Sequence, residues 1–198
     1  MSRHPAMSAT SPAAVTLGIL AGGAATRLGG RDKAWLERAG VPQVLRWQRR
    51  FEGRVDALLV SANAGEARYR AHGLVAVRDD VVGVGPMAGL DALARACKTP
   101  WLLTLPVDLV DCNDCLLPTL RSAAGHAGAW AEDEDGLQPL VALWRVDVLR
   151  EAAARALEDG ALSVRDLQAT LGMPGVRLAG MRFGNLNTPA DLVLAGVG

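Results

Sequence analysis

A chain of 198 residues, half of them hydrophobic, can bury one substantial core but is short for two. Basic and acidic residues balance at 21 each, so no general field draws the chain to nucleic acid or to an anionic membrane, and any anion site must be local. No apolar run is long enough to span a bilayer, and residues 1–14 lack the hydrophobic core of a signal peptide. Those residues read as a disordered start, followed by one domain over 15–198. Cys97, Cys112 and Cys115 suit a reducing compartment, hence the cytoplasm, better than a disulfide framework. Cys112 and Cys115 have C-x-x-C spacing, but with no second pair and no histidine nearby a zinc site lacks ligands.

In chain order, Val15–Ala21 is short, apolar and rich in branched side chains, which predicts a buried strand. It ends in Gly22 and Gly23, and Arg27, Gly29, Gly30 and Lys33 follow. Glycines let successive N–H groups turn toward one point, an anion nest that the two cations reinforce. Neither a Walker A loop nor G-x-G-x-x-G fits the spacing. Trp35–Ala39 reads as a short extended piece, residues 40–42 as a turn, and Pro42 as the first position of a helix to about Glu52. Arg46, Arg49 and Arg50 form the solvated face of that helix. Val55–Ser61 is the next strand, Glu66–His72 a helix, and Leu74–Arg78 a third strand. Such alternation implies right-handed βαβ units and a mostly parallel sheet. Ligands of that architecture sit beyond the strand C-termini, which here carry Gly22, Asn63 and Asp79.

Gly85 and Pro86 open a helix to Ala96, whose N-terminus presents free N–H groups. Pro100–Pro106 is a central buried strand that delivers Asp108 to the same crevice. One carboxylate at a strand end suits Mg²⁺, which takes few protein ligands beside phosphate oxygens and water. Asp111 is expected to cap a helix over residues 113–123. Ala127–Ala131 and Leu140–Arg145 read as strands flanking an acidic run, 132–135, that ends in Gly136 and is expected to be a solvated hairpin loop. Helices follow over Val146–Glu158 and Ser163–Leu171, the second with Ser163 as its cap and Asp166 at its third position. Val176–Phe183 reads as a last strand, and Thr188, Pro189 and Asp191 make a competent final helix start.

Four segments carry a family resemblance. They are L-A-G-G-x-x-x-R-x-G-G-x-D-K over 20–33, G-P-x-A-G over 85–89, P-x-D over 106–108 and N-x-N-T-P-x-D-L over 185–192. Together they resemble the MobA-like nucleotidyltransferases, in particular the molybdenum cofactor guanylyltransferases, across nearly the whole chain after residue 14. The resemblance implies an α/β fold, a three-layer αβα Rossmann-like sandwich of the nucleotide-diphospho-sugar transferase type. It implies transfer of GMP from GTP to molybdopterin phosphate, with Mg²⁺ required and pyrophosphate released, as a step of molybdenum cofactor biosynthesis. Leu20, Ala21, Gly22, Gly23, Arg27, Gly29, Gly30 and Lys33 would wrap the triphosphate. Asn63, Asp79, Gly85 and Pro86 would meet base or ribose, Asp108 would bind the metal, and Asn185 and Asn187 the acceptor. Lys33, Arg27 and Asp108 would carry the catalytic charge.

Gly22 stands where cytidylyl relatives usually have alanine, which favours guanine. Val110 replaces the family's usual second proline after the aspartate, a departure expected to loosen that loop. The implied partners are GTP, molybdopterin and molybdoenzyme maturation proteins, with neither nucleic acid nor membrane. Two rivals remain at this level: a cytidylyl or sugar-phosphate transferase of the same fold, and a nucleotide-binding maturation factor without chemistry.

Overall fold

The structure is a computed structural model that describes residues 13–22, 32–81 and 83–197. Nearly all of the expected disordered start, and Gly23, Arg27, Gly29 and Gly30 of the glycine loop, lie outside the described residues. The chain runs β1 (Val15–Leu20), a 3-10 turn (Lys33–Trp35), β2 (Glu37–Arg38), β3 (Val41–Pro42), α1 (Gln43–Phe51), β4 (Ala57–Ser61), α2 (Glu66–Ala71) and β5 (Val75–Val77). It continues through α3 (Pro86–Ala96), β6 (Trp101–Pro106), α4 (Leu116–Ala123), β7 (Gly128–Asp133), β8 (Gly136–Arg145), α5 (Val146–Glu158), α6 (Val164–Thr170), β9 (Gly175–Arg177) and α7 (Pro189–Leu194).

Seven strands form one sheet in the order β5-β4-β1-β6-β8-β7-β9. β1 pairs in parallel with both β4 and β6, and β8 alone runs against its neighbours β6 and β7. All six residues of β1 are buried, as a central parallel strand requires. Its two faces feed two cores. Leu17 and Ile19 pack with Val44, Trp47 and Phe51 of α1, Tyr69 of α2, and Leu116 and Leu120 of α4. Leu20 packs on the opposite face with Met87, Leu90 and Leu93 of α3, Leu149 and Ala153 of α5, and Val164 and Leu167 of α6. The result is the three-layer αβα arrangement. Among the described residues no helix is long and apolar enough to cross a membrane.

Several local expectations change. Trp35 belongs to the 3-10 turn, and Val41–Pro42 forms a two-residue ribbon with Glu37–Arg38, so Pro42 is the cap of α1 rather than its first residue. Asp111 does not cap α4: its carboxylate accepts from the adjacent Cys112 N–H, and Cys115 occupies the cap position. The acidic run is only partly solvated. Asp133 is buried, and its carboxylate accepts from the N–H groups of Phe183 (2.9 Å) and Asp135 (3.0 Å) and from Gln138 (3.1 Å). The last strand stops at Arg177, because residues 178–183 are diverted onto that run. Leu178 N–H donates to Glu132 O, Glu134 N–H to Met181 O, and Gly180 N–H to the Glu134 carboxylate.

Candidate functional site

The C-termini of β1, β4, β5 and β6 open on one edge of the sheet. Between β1 and β6 the register runs to Leu20 opposite Pro106, and Val107 N–H then donates to Leu20 O. This brings residues 106–108 beside the start of the glycine turn. On the other side of β1, Ala21 N–H donates to Ser61 O at the end of β4.

Lys33 is aimed into this edge by its own local structure. Asp32 caps the 3-10 turn by accepting from Ala34 N–H at 3.0 Å, and Ala34 and Trp35 are buried behind it. The Lys33 ammonium then lies 2.6 Å from Asp108 Oδ2 and donates to Asn187 Oδ1 at 2.9 Å. Side-chain exposures of 23% and 18% for Lys33 and Asp108 leave the pair reachable from solvent yet partly shielded from it. Three of the sequence-derived residues, from both ends of the chain, therefore meet at one point.

The loop carrying Asp108 is tied rather than loosened. Leu186 N–H donates to Asp108 O (2.8 Å), Leu109 bridges to Asn185, and Val110 N–H donates to Phe183 O (3.1 Å). A proline at 110 has no N–H and could not make that last bond. Asn185 is thus fixed against Leu109 through its backbone, while Asn187 alone of the two asparagines reaches Lys33 with its side chain. Asn187 is held in turn by Asp191, which accepts from the N–H groups of Asn187 (3.0 Å) and Thr188 (2.7 Å). The Thr188 hydroxyl accepts in return from Asp191 N–H, closing a capping box on α7, and that hydroxyl with the N–H groups of Thr188 and Asn187 lowers the Asp191 carboxyl below its ordinary value.

A second group sits at the ends of β4 and β5. Asp79 accepts from Ser61 Oγ (2.8 Å) and Asn63 Nδ2 (3.2 Å), and its own N–H donates to Asn63 Oδ1 (3.0 Å). Gly22 faces this group: a Cβ there would stand 3.4 Å from Asp79 Oδ2. Gly85 caps α3 at φ 72°, ψ −155°, a conformation open to glycine alone, and Pro86 holds the first helical position. Ser61 was missed from sequence, although a lone polar residue ending an apolar strand is the signal that could have found it. Asp133 was missed because its neighbours in an acidic run disguise it.

The other chemistry-bearing candidates do not join the site. Cys112 is buried, which pushes its thiol up to about 11, while Cys115 is exposed. A thiol raised that far is a poor nucleophile near neutral pH. Among the described residues no group of three or more His, Cys, Asp or Glu side chains is arranged to hold an ion. Asp108 is the carboxylate that opens on the crevice beside a cation, and a single such donor fits Mg²⁺, which draws its remaining ligands from phosphate and water.

Residues 17–172 match the family described as the MobA-like NTP transferase domain. A molybdenum cofactor guanylyltransferase of Pseudomonas paraeruginosa (strain DSM 24068 / PA7) is 39% identical over 177 residues, covering 86% of this chain and 89% of that protein. Molybdopterin-guanine dinucleotide biosynthesis protein A from Archaeoglobus fulgidus aligns with a TM-score of 0.67 at 18% identity, over 91% of this chain and 96% of its own. The 2-C-methyl-D-erythritol 4-phosphate cytidylyltransferase of Thermus thermophilus aligns with a TM-score of 0.67 at 21% identity, over 90% of this chain and 96% of its own. At these identities the structural likeness shows the fold, which is shared by enzymes named for different nucleotides. The family match and the sequence relative go further: this chain is a nucleotidyltransferase and belongs to the MobA-like NTP transferase family.

Proposed function

We propose that the chain transfers GMP from GTP to the phosphate of molybdopterin, releasing pyrophosphate, as a step in making the molybdenum cofactor. The observation that carries this reading is the Lys33 ammonium held between Asp108 (2.6 Å) and Asn187 (2.9 Å) at the strand edge where the glycine turn begins. An acceptor phosphate oxygen attacks the α-phosphorus, and the bond to the β-phosphate oxygen breaks. The acceptor is already anionic near neutral pH, so no strong general base is needed. The difficulty is that two anions must approach, and fixed positive charge with correct positioning meets it.

Lys33 offsets the charge that develops on the leaving pyrophosphate, together with the N–H groups of the glycine turn and Arg27. Asn187, braced by Asp191, orients the acceptor, with Asn185 fixing the same loop against residue 109. Asp108 would hold Mg²⁺, which when bound would neutralise phosphate charge. Asp79 accepts from the base, and the missing side chain at Gly22 leaves its carboxylate open to the crevice. Two acceptor oxygens match the two adjacent donors of guanine, its ring N–H and exocyclic amine, whereas cytosine offers only its exocyclic amine. Residues 15–198 act in this reading as one transferase domain in the cytoplasm, handing product to molybdoenzyme maturation proteins. The free thiols of Cys97, Cys112 and Cys115 suit that compartment.

The decisive assay supplies Mg²⁺ and molybdopterin with GTP, CTP or ATP in turn and measures pyrophosphate. We expect one pyrophosphate per guanylylated acceptor from GTP. Preference for CTP would overturn the base assignment, and tight GTP binding with no pyrophosphate would leave a binding factor in place of an enzyme.

A further inference from the structure

Ser61 is the last residue of β4 and only 1% exposed. A hydroxyl buried that deeply must find a partner, and this one donates to Asp79 Oδ1 at 2.8 Å. The partner oxygen, Oδ2, is held by Asn63 Nδ2 at 3.2 Å, while Asn63 Oδ1 takes the Asp79 N–H at 3.0 Å. The Asn63 amide thus touches Asp79 with both its ends and keeps its second N–H in hand. The helix α3 closes over Ser61 from behind. A Cβ at Gly89 would stand 2.6 Å from Ser61 Oγ and 3.1 Å from Leu20 Cδ2, so glycine is what lets the helix lie against the hydroxyl. Each carboxylate oxygen accepts more than one hydrogen bond, so Asp79 keeps an unused acceptor position on both oxygens after these contacts. Its Oδ2 is the atom that faces Gly22.

We infer that Ser61 is a positioning residue that locks the Asp79 carboxylate as a two-oxygen acceptor for the donor edge of guanine, with Gly89 making room for the lock. A carboxylate presents two parallel acceptors, and guanine presents two adjacent donors, the ring N–H and the exocyclic amine. Hypoxanthine keeps only the first of these. Asn63 braces the same carboxylate from the solvent side and keeps a second N–H of its own. This inference rests on the guanylyl reading above and names the residues that set its base choice.

The test compares dissociation constants of GTP, ITP and inorganic tripolyphosphate for wild type, Ser61→Ala, Asp79→Asn and the double variant, with thermal melts as the folding control. Wild type should prefer GTP over ITP, and Ser61→Ala should cut that preference about fivefold to tenfold, the worth of one hydrogen bond. Tripolyphosphate, which has no base, should bind Ser61→Ala as it binds wild type. In the Asp79→Asn background Ser61→Ala should change the preference no further, because the hydroxyl acts only through that carboxylate. Equal weakening for all three ligands would reduce Ser61 to a structural role and overturn the inference. So would an unchanged preference, or full additivity with Asp79→Asn. If Asp79→Asn left the GTP preference intact while GTP still yielded pyrophosphate, this inference would fail and the guanylyltransferase reading would stand. If wild type bound tripolyphosphate but no guanine nucleotide selectively, both would fall.

Discussion

Asp108 and Lys33 neutralise one another across 2.6 Å, and each has a separate task in the proposed reaction. Replacing Asp108 with alanine removes the crevice carboxylate from a partly exposed loop whose backbone bonds to Leu186 and Phe183 remain. The variant should therefore melt close to wild type and lose about 100-fold or more in Mg²⁺-dependent turnover, the scale of losing one charge-stabilising group. Retained turnover at saturating Mg²⁺ would remove residue 108 from the mechanism. Lys33→Ala should weaken GTP about tenfold or more while leaving GMP nearly unchanged, because only GTP has outer phosphates with a salt link to lose. Isothermal titration with both nucleotides checks this, and an equal loss would contradict the assignment. The cysteine pair supplies a third case: with Cys112 pushed up to about 11 by burial and Cys115 exposed, iodoacetamide at pH 8 should label Cys115 and spare Cys112. Mass spectrometry of the labelled chain reads the outcome directly.

At the level of elements, the β7–β8 turn does more than reverse the chain. Asp133 fastens the C-terminal segment at Phe183, two residues before Asn185, and Glu134 fastens it again at Gly180 and Met181. Burial opposes the charged form of Asp133, but N–H donors from Phe183, Gln138, Asp135 and Gly136 outweigh it and hold the carboxyl below its ordinary value of 3.8. A carboxyl lowered on folding contributes stability at pH values above the unfolded value, and that contribution disappears as pH falls through the folded one. Asp133→Asn, which cannot accept all those donors, should cost roughly 1–3 kcal/mol at pH 7. The gap to wild type should narrow below about pH 4, where the unfolded chain begins to take up the proton first. Melting curves from pH 7 to pH 3 would show it, and a gap that widens on acidification would refute the account. The same segment explains the short β9: Leu178 N–H closes the ladder on Glu132 O, and beyond it Gly180 and Phe183 give their N–H groups to the carboxylates of the acidic turn.

For the whole molecule, the important feature is that the strands of the large sheet point one way except for β8, which carries the second half of the chain back across the sheet. β9, which runs parallel to β7, then brings the chain back to the edge where β1 and β6 end, so that Asn187 meets a lysine 154 residues earlier. A ligand gripping several strand ends at once should stabilise the fold as a unit. GTP at one hundred times its dissociation constant adds about 2.7 kcal/mol. For a chain of this length, that is a rise in Tm on the order of 5–10 °C. CTP at the same concentration should give much less, and an equal or larger shift with CTP would argue for the cytidylyl alternative.

The sequence by itself determined what is local. The strand Val15–Leu20, the helices at Pro86–Ala96 and Val146–Glu158, and the Thr188 cap were all legible, because caps, proline positions and hydrophobic periodicity act over a few residues. The family resemblance picked out Lys33, Asp108 and Asn187 as separate candidates. Only the tertiary structure decided that these three touch, that Asn185 engages through its backbone, that Ser61 and Asn63 both serve Asp79, and that an apparently solvated aspartate at 133 is buried. Each of those facts is a hydrogen bond between residues far apart in the chain. Its strength depends on which other groups the fold has already removed from water, and no short window of sequence contains that information.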